Sequence, residues 1–564
     1  MKIFHVPFRW GRFLKWVGVL LTLSFSTMVS WDPSWGAFAQ DQKQVEPTQV
    51  TAALMSPIER AEKDGTALHI SLKELTKLAL QNNLDIAISD TNEAMYQQKV
   101  IQNYGFYDPT LSLTLQDGRS KSANTNITNR SATGFNQRDN ALWNLSMVKN
   151  LPLGGGVTAT FNSSRSDTNQ LATLFTPQFQ SSASVQFTQP LRRNFRLDLT
   201  RGTIKLANLD LKTNDSKFKQ GVTTTIASIQ GIYWDLVYAI RNYDILRESM
   251  DLAKITVEQN RAKVEIGTLA SITVTEALAT QATREIALIQ AKETIQSTEN
   301  SLRNMISSDR NADIWHQTIV PTDSPDFNAY PVELEMAIET ALKNRPELEQ
   351  YDLQLQQTDI TYQIQKNMKK WQFDVVGSFG SNGTAGPQSL SSGVPTIPEQ
   401  FVGGLPTAYK TIFTEGLINW TVGFNIQIPI KNRSVDAQLA QTQISKQQLL
   451  MNRTKTEQNI IVQVRNAVED LETSRQRVET AQVSRKLAEE ELAGETQRMD
   501  AGMSQNFLVL QRQADLSAAQ GTEVQALTTY KKAIITLQQN MYNLLEANDF
   551  EIAKSPGKGA AAFK

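Results

Sequence analysis

Chemistry at a protein surface needs reactive side chains in reach of one another, and this sequence offers few. Its 564 residues include no cysteine and three histidines, His5, His69 and His316. Without a thiol there is no disulfide framework, thiolate metal site or cysteine nucleophile. The histidines lie far apart in sequence, which argues against a metal site or a nucleophilic triad. The "GGG" at 154–156 lacks the Gly-Lys-Ser/Thr that completes a phosphate loop and reads as a turn. No paired-acid or nucleophile–base constellation stands out, and the glutamates of "LAEEELAGE" (487–495) read as a solvated helix face. The sequence predicts no enzyme, no cofactor and no metal. Lys plus Arg (56) and Asp plus Glu (57) nearly cancel, so no net field favours nucleic acid as a partner.

The informative chemistry is amphipathic. In "NWTVGFNIQIP" (419–429), Trp420, Val422, Phe424, Ile426 and Ile428 alternate with Asn419, Thr421, Gly423, Asn425 and Gln427. Period two with one apolar face predicts a strand between water and lipid or core. "QFDVVGSFG" (372–380) alternates more loosely, and "LSLTLQD" (111–117), "LWNLSMVKN" (142–150), "GVTATFNS" (156–163) and "SASVQFTQP" (182–190) read as further strands. Between them, 118–140 and 381–416 read as Ser/Asn/Thr/Gly/Pro-rich loops.

Long helices must carry these strands. Apolar or small residues recur at spacings of three and four from Ile229 to Val257, from Ile460 to Leu492 and from Leu516 to Leu544. That 3.5-residue period gives helices that supercoil on a neighbour. No proline falls between Pro190 and Pro321 or between Pro429 and Pro556. A helix of about 60 residues would be about 90 Å long, beyond what a globular core needs.

The pattern occurs twice. "ALQNNLDIAI" starts at Ala79 and "ALKNRPELEQ" at Ala341, a shift of 341 − 79 = 262 residues. Pro346 is expected in the first turn of a helix beginning near Asn344, where its missing N–H costs nothing. In the first copy Asn82 or Asn83 can cap instead. The order helix, strands, long helix, helix repeats, so a whole α–β unit is duplicated. The expected divisions are a signal peptide (1–39, basic residues, the apolar run 16–31, then "AFA"), an extension (40–66), a first repeat (67–310), a linker (311–331), a second repeat (332–548) and a tail (549–564). After the signal no apolar run approaches the roughly 18 residues of a spanning helix, so any membrane crossing falls to strands.

In this order and at this spacing the motifs resemble the TolC family of outer-membrane efflux and secretion channels, over nearly the whole mature chain. The carrying residues are the helix starts "LALQNNLDI" (78–86) and "TALKNRPEL" (340–348), the strand-to-helix "QPLRRNF" (189–195) and "IPIKNRS" (428–434), and the inter-helix "IGTLASI" (266–272) and "AGMSQNF" (501–507). The resemblance implies an α+β membrane protein with internal structural duplication. A long α-helical coiled-coil barrel would continue into a transmembrane β-barrel, closed by trimerisation, with twelve strands in the outer membrane and twelve helices in the periplasm. Its implied role is the exit duct of a tripartite efflux pump or a type I secretion system. Its implied partners are two further copies, a periplasmic adaptor, an inner-membrane transporter and outer-membrane lipid. The alternative is an exported coiled-coil structural or adhesive protein without transport.

The resemblance also carries residue roles. Gly267, Thr268, Leu269, Gly502, Met503 and Ser504 would form the periplasmic tips that dock the adaptor. The family's charged aperture positions fall on Thr273, Leu508, Gln511 and Ser504, none of which is charged. An aperture closed by apolar and amide contacts, with little cation selectivity, is expected; a misalignment by one turn would bring Asp515 or Asp500 there instead. A second departure is in the strands: four are counted in the first half and two in the second, against four per subunit in the family. Either the hairpin at 142–163 is an extracellular insertion, the favoured reading, or one strand lies outside the barrel.

Overall fold

The computed structural model describes residues 56–125, 131–389, 396–548 and 550. The expected signal peptide, most of the N-terminal extension and all of the tail but Phe550 lie outside the described residues. Ser56 accepts a hydrogen bond from Glu59 N while the Glu59 carboxylate accepts from Ser56 N, a reciprocal cap that starts α1 (Pro57–Asp64). β1 (Ala67–Ile70) follows, and Ser71 with Glu74 repeats the device ahead of α2 (Leu72–Asn82). Asn83 then separates α2 from α3 (Leu84–Tyr104), its Oδ1 accepting from Asp85 N at 2.9 Å and Ile86 N at 3.1 Å. Of the two candidate asparagines, Asn83 is the cap. Next come β2 (Thr110–Ala123), β3 (Phe135–Asn150), β4 (Gly156–Thr168) and β5 (Gln178–Pro190). Asp198 caps α4 (Leu199–Glu265), 67 residues, and α5 (Ile272–Ile306), 35 residues, runs back along it.

The second half repeats this order. β6 (Thr318–Pro321) lies parallel to β1. α6 (Leu334–Asn344) and α7 (Pro346–Met368) are separated by Arg345 alone, and β7 (Gln372–Ala385), α8 (Leu405–Thr414) and β8 (Ile418–Gln427) follow. α9 (Arg433–Asp500), 68 residues, returns through α10 (Asn506–Met541), 36 residues, to α11 (Leu544–Ala547). At 1.5 Å per residue α4 and α9 are each about 100 Å long. The helix expected near Asn344 starts at Pro346, its first helical residue; Asn344 ends the helix before it. Asn83 and Arg345 hold equivalent places. The Asn83 amide donates to Met305 O at 2.7 Å, and Arg345 Nε donates to Asn540 O at 2.8 Å. Each ties its helix break to the far end of the returning helix.

All six long strands form one antiparallel sheet in the order β2-β3-β4-β5-β7-β8. The hairpin 142–163 therefore does not stand apart as an insertion, and none of the six strands lies outside the sheet: β3 pairs with β2 from Phe135 to Val148, and β4 with β5 from Gly156 to Ser166. The segments 118–140 and 381–416 are also more regular than expected. β2 runs on to Ala123, β3 begins at Phe135, β7 runs to Ala385, and α8 occupies 405–414. The ladder continues there with polar pairs, such as Arg119 and Asp139, whose side chains meet at 2.6 Å. Backbone pairing needs no apolar alternation, so the sequence pattern stops before the strand does.

The core lies between helices. Ile229, Leu236 and Tyr243 on α4, and Val464, Leu471 and Val478 on α9, are buried at the expected seam positions. The segment after β6 is held to each half by a buried tyrosine. Tyr233 OH donates to Asp323 Oδ2 at 2.6 Å, and Tyr530 OH donates to Asn328 O at 3.1 Å.

Candidate functional site: the two faces of the sheet and the helix tips

Opposed residues in an antiparallel ladder share a face. From the register, Leu111, Met147, Ala159, Val185, Phe379 and Trp420 form one row across all six strands. The next row of that face runs Leu113, Leu145, Phe161, Ala183, Ser381 and Ile418. The opposite face carries rows such as Thr114, Asn144, Asn162, Ser182 and Asn382. The apolar face is open: Trp420 is 72% exposed, Val422 68%, Phe424 65% and Leu115 71%. Ile426 belongs to the same face, and Ile428, also exposed, lies just beyond the end of β8. From Ile418 to Ile428 is about 33 Å of extended chain. Tilted as barrel strands are, it spans about 25 Å, the height of an outer-membrane apolar band.

Both edges of this sheet are unpaired among the described residues: β2 and β8 have one neighbour each. Bare edge amides and carbonyls beside such an apolar face must find a partner.

The far ends of the long helices close identically. Gly267 (φ +77°) and Gly502 (φ +73°) take the left-handed conformation just after α4 and α9. Thr268 N donates to Lys263 O at 2.9 Å, and Met503 N donates to Arg498 O at 2.8 Å. These six-to-one bonds, with glycine at the turn, make a Schellman motif in each copy. Thr268 adds its hydroxyl to the Lys263 carbonyl at 2.8 Å. Leu269 N also reaches Lys263 O, and Ser504 Oγ donates to the buried Glu495, which Arg498 also contacts. Met503 is 76% and Ile266 73% exposed, so both tips end in uncovered apolar side chains.

The expected aperture residues are not equivalent. Leu508 is partly exposed in the first turn of α10. Gln511 Nε2 donates to Asp515 Oδ1 at 3.1 Å, and Arg512 Nη1 contacts Asp515 at 3.1 Å and Glu491 at 3.1 Å. Thr273, in the first turn of α5, donates its hydroxyl to Ala270 O at 2.7 Å, while its carbonyl accepts from Asn260. One residue near the tips gave no sequence signal. Arg284 on α5 is 9% exposed and donates to Ser249 O on α4 and to Leu510 O on α10. Burial lowers its pKa from the usual arginine value.

A family model described as outer membrane efflux protein matches residues 156–308 and 337–541 of this chain. The fold is shared with the CmeC outer membrane channel of Campylobacter jejuni (TM-score 0.59, 16% identity, 87% of this chain and 88% of that one). It is shared likewise with the outer membrane protein VceC of Vibrio cholerae (TM-score 0.58, 14% identity, 86% and 97%). The MtrE outer membrane channel of Neisseria gonorrhoeae, solved in its open state, is similar at TM-score 0.56 and 15% identity, over 84% and 89%. No curated protein sequence matches the chain.

Proposed function

The chain belongs to the outer membrane efflux protein family, with its sheet at the outer membrane and its helices in the periplasm, and we propose that it is the exit duct of a tripartite pump. Three copies close into one channel, and an adaptor and inner-membrane transporter deliver cargo, small molecules or polypeptides, to its periplasmic end. The observation that carries this reading is a sheet with one lipid-compatible face, one polar face and two edges unpaired among the described residues, joined to helices of about 100 Å.

Closure follows from strand direction. β2 leads away from the helices and β8 leads back toward them, so β8 of one copy against β2 of the next continues the antiparallel alternation. Three copies of six strands make a barrel of eighteen, where the family resemblance implies twelve. Barrel diameter grows roughly in proportion to strand number, so the pore would be wider by about half at equal tilt. The polar face lines it mainly with Asn, Ser and Thr, which offer hydrogen bonds, and adds fixed charge at Arg138 and Asp374.

Deletion of the gene tests the role. The expected strain is sensitive to dyes or antibiotics, or fails to secrete a polypeptide, and recovers with the gene in trans. A deletion strain with unchanged export of both kinds of cargo would contradict the proposal.

A further inference from the structure

α8 lies on the apolar face of the sheet. Trp143 Nε1 donates to Tyr409 OH at 2.9 Å, and the Phe161 and Tyr409 rings lie 5.5 Å apart. Ser381 Oγ donates to Ile412 O at 2.6 Å. Trp143, Phe161 and Ser381 all belong to the apolar face by register.

The seat beneath the helix is made of small residues. Ser163 and Ser181 are buried there and bonded to each other at 2.8 Å. Opposite Ser181 stands Gly383, where an added Cβ would come within 2.0 Å of Ala408 O. Small polar side chains at this level would be poorly matched to hydrocarbon. The helix covers them and turns other groups outward: Phe413 is 82% exposed. Between its end and the sheet lies a groove of about 590 Å³, lined by Leu111, Leu145, Met147, Phe379, Ile412 and Phe413. The groove is continuous with the apolar rows described above.

We infer that α8 is a membrane-embedded helix on the outer wall of the barrel, and that its groove takes the acyl chains of membrane lipid. The inference rests on the channel reading, which turns this face toward lipid. Apolar burial is what binds: Phe413 and the groove walls leave water when chains fill the space, while Tyr409 finds its hydrogen-bond partner inside the contact.

Single cysteines in the full chain, which has none of its own, test this. Phe413→Cys, Trp420→Cys and Asn162→Cys are each labelled with a small fluorophore and reconstituted into phosphatidylcholine vesicles brominated on the acyl chains. Phe413→Cys is expected to lose fluorescence to the same extent as Trp420→Cys, while Asn162→Cys, facing the pore, loses none. Adding Gly383→Leu is expected to unseat the helix and reduce quenching at Phe413→Cys but not at Trp420→Cys. Quenching at Trp420→Cys with none at Phe413→Cys would overturn the placement of α8 and leave the channel reading standing. No quenching at either would overturn both. Unchanged quenching at Phe413→Cys beside Gly383→Leu would show that the small-residue seat does not hold the helix in the membrane.

Discussion

Arg284 donates twice to Ser249, to its carbonyl at 2.8 Å and its hydroxyl at 2.7 Å, and the same guanidinium reaches Leu510 O at 3.3 Å. One buried cation thus ties α4, α5 and α10 together close to the tips. Any widening of the periplasmic end that moves α10 against the first repeat must break its third bond. Hydrogen bonds to charged groups contribute about 1.5–3 kcal/mol each. Arg284→Met keeps the bulk and removes the tie. Bilayer recordings of the variant are expected to show a larger mean conductance, with normal amounts in the outer membrane. Unchanged conductance would mean that this contact does not hold the tip.

The tip glycines separate geometry from docking. A Cβ added at Gly267 or Gly502 meets nothing within 4 Å, so alanine there brings left-handed strain without a clash. That strain is about 1–2 kcal/mol per residue. Gly502→Ala should lower thermal stability slightly and leave export nearly intact. Gly502→Trp should keep conductance in bilayers yet abolish export in cells, because a bulky group now stands where an adaptor would sit. Full export by Gly502→Trp would remove this tip from the docking surface.

Among the residues expected at the aperture, Gln511 shares Asp515 with Arg512, while Leu508 is partly exposed with no charged partner of its own. Leu508→Asp would place a ring of three carboxylates in a narrow mouth and attract cations. Reversal potentials across a salt gradient should shift toward cation selectivity for Leu508→Asp, and hardly move for Asp515→Asn. A loss of cation selectivity in Asp515→Asn, with none gained in Leu508→Asp, would assign the mouth to Asp515.

Much of this was legible in the sequence for a physical reason. The strands at 111–117 and 419–429 alternate because one face of the sheet is apolar and the other polar, and the seams of α4 and α9 repeat because helix packs on helix over their length. Asn83 and Pro346 announce helix starts through local backbone chemistry alone. What stayed hidden depends on tertiary partners. The upper parts of β2 and β3 are held by backbone pairing and by Arg119–Asp139, neither of which leaves an apolar pattern. α8 is short, lies in a Gly- and Pro-rich stretch, and takes its stability from Trp143 and Gly383 on distant strands. The 142–163 hairpin joins the sheet rather than standing apart from it, which the sequence does not show because pairing partners, unlike strands, are not written locally. Arg284 occupies an otherwise ordinary polar position of α5, and only the approach of α4 and α10 gives it a role.

Tyr233 gives the linker a pH dependence. Burial, and then its bond to Asp323, raise the phenol's pKa well above the ordinary tyrosine value. Below about pH 10 both folded and unfolded forms hold the proton and the bond stabilises fully. Above that the unfolded chain ionises first, so stability falls as pH rises toward the folded-state value. Thermal melts of the detergent-solubilised protein should lose stability between pH 9 and 11 more steeply than those of Tyr233→Phe, a comparison scaled to the ordinary tyrosine pKa of about 10. Parallel slopes for the two proteins would exclude Tyr233 as the source.

The free edges of β2 and β8 are expected to find each other on neighbouring copies. Leu113→Cys on β2, combined in turn with Trp420→Cys, Val422→Cys and Phe424→Cys on β8, tests it in native membranes. At least one pair is expected to oxidise to a covalent trimer that reverts to single chains on reduction, and the bridged species is expected to conduct in a planar bilayer. A detergent-solubilised single chain that conducts with no inter-chain bridge at any pair would contradict it.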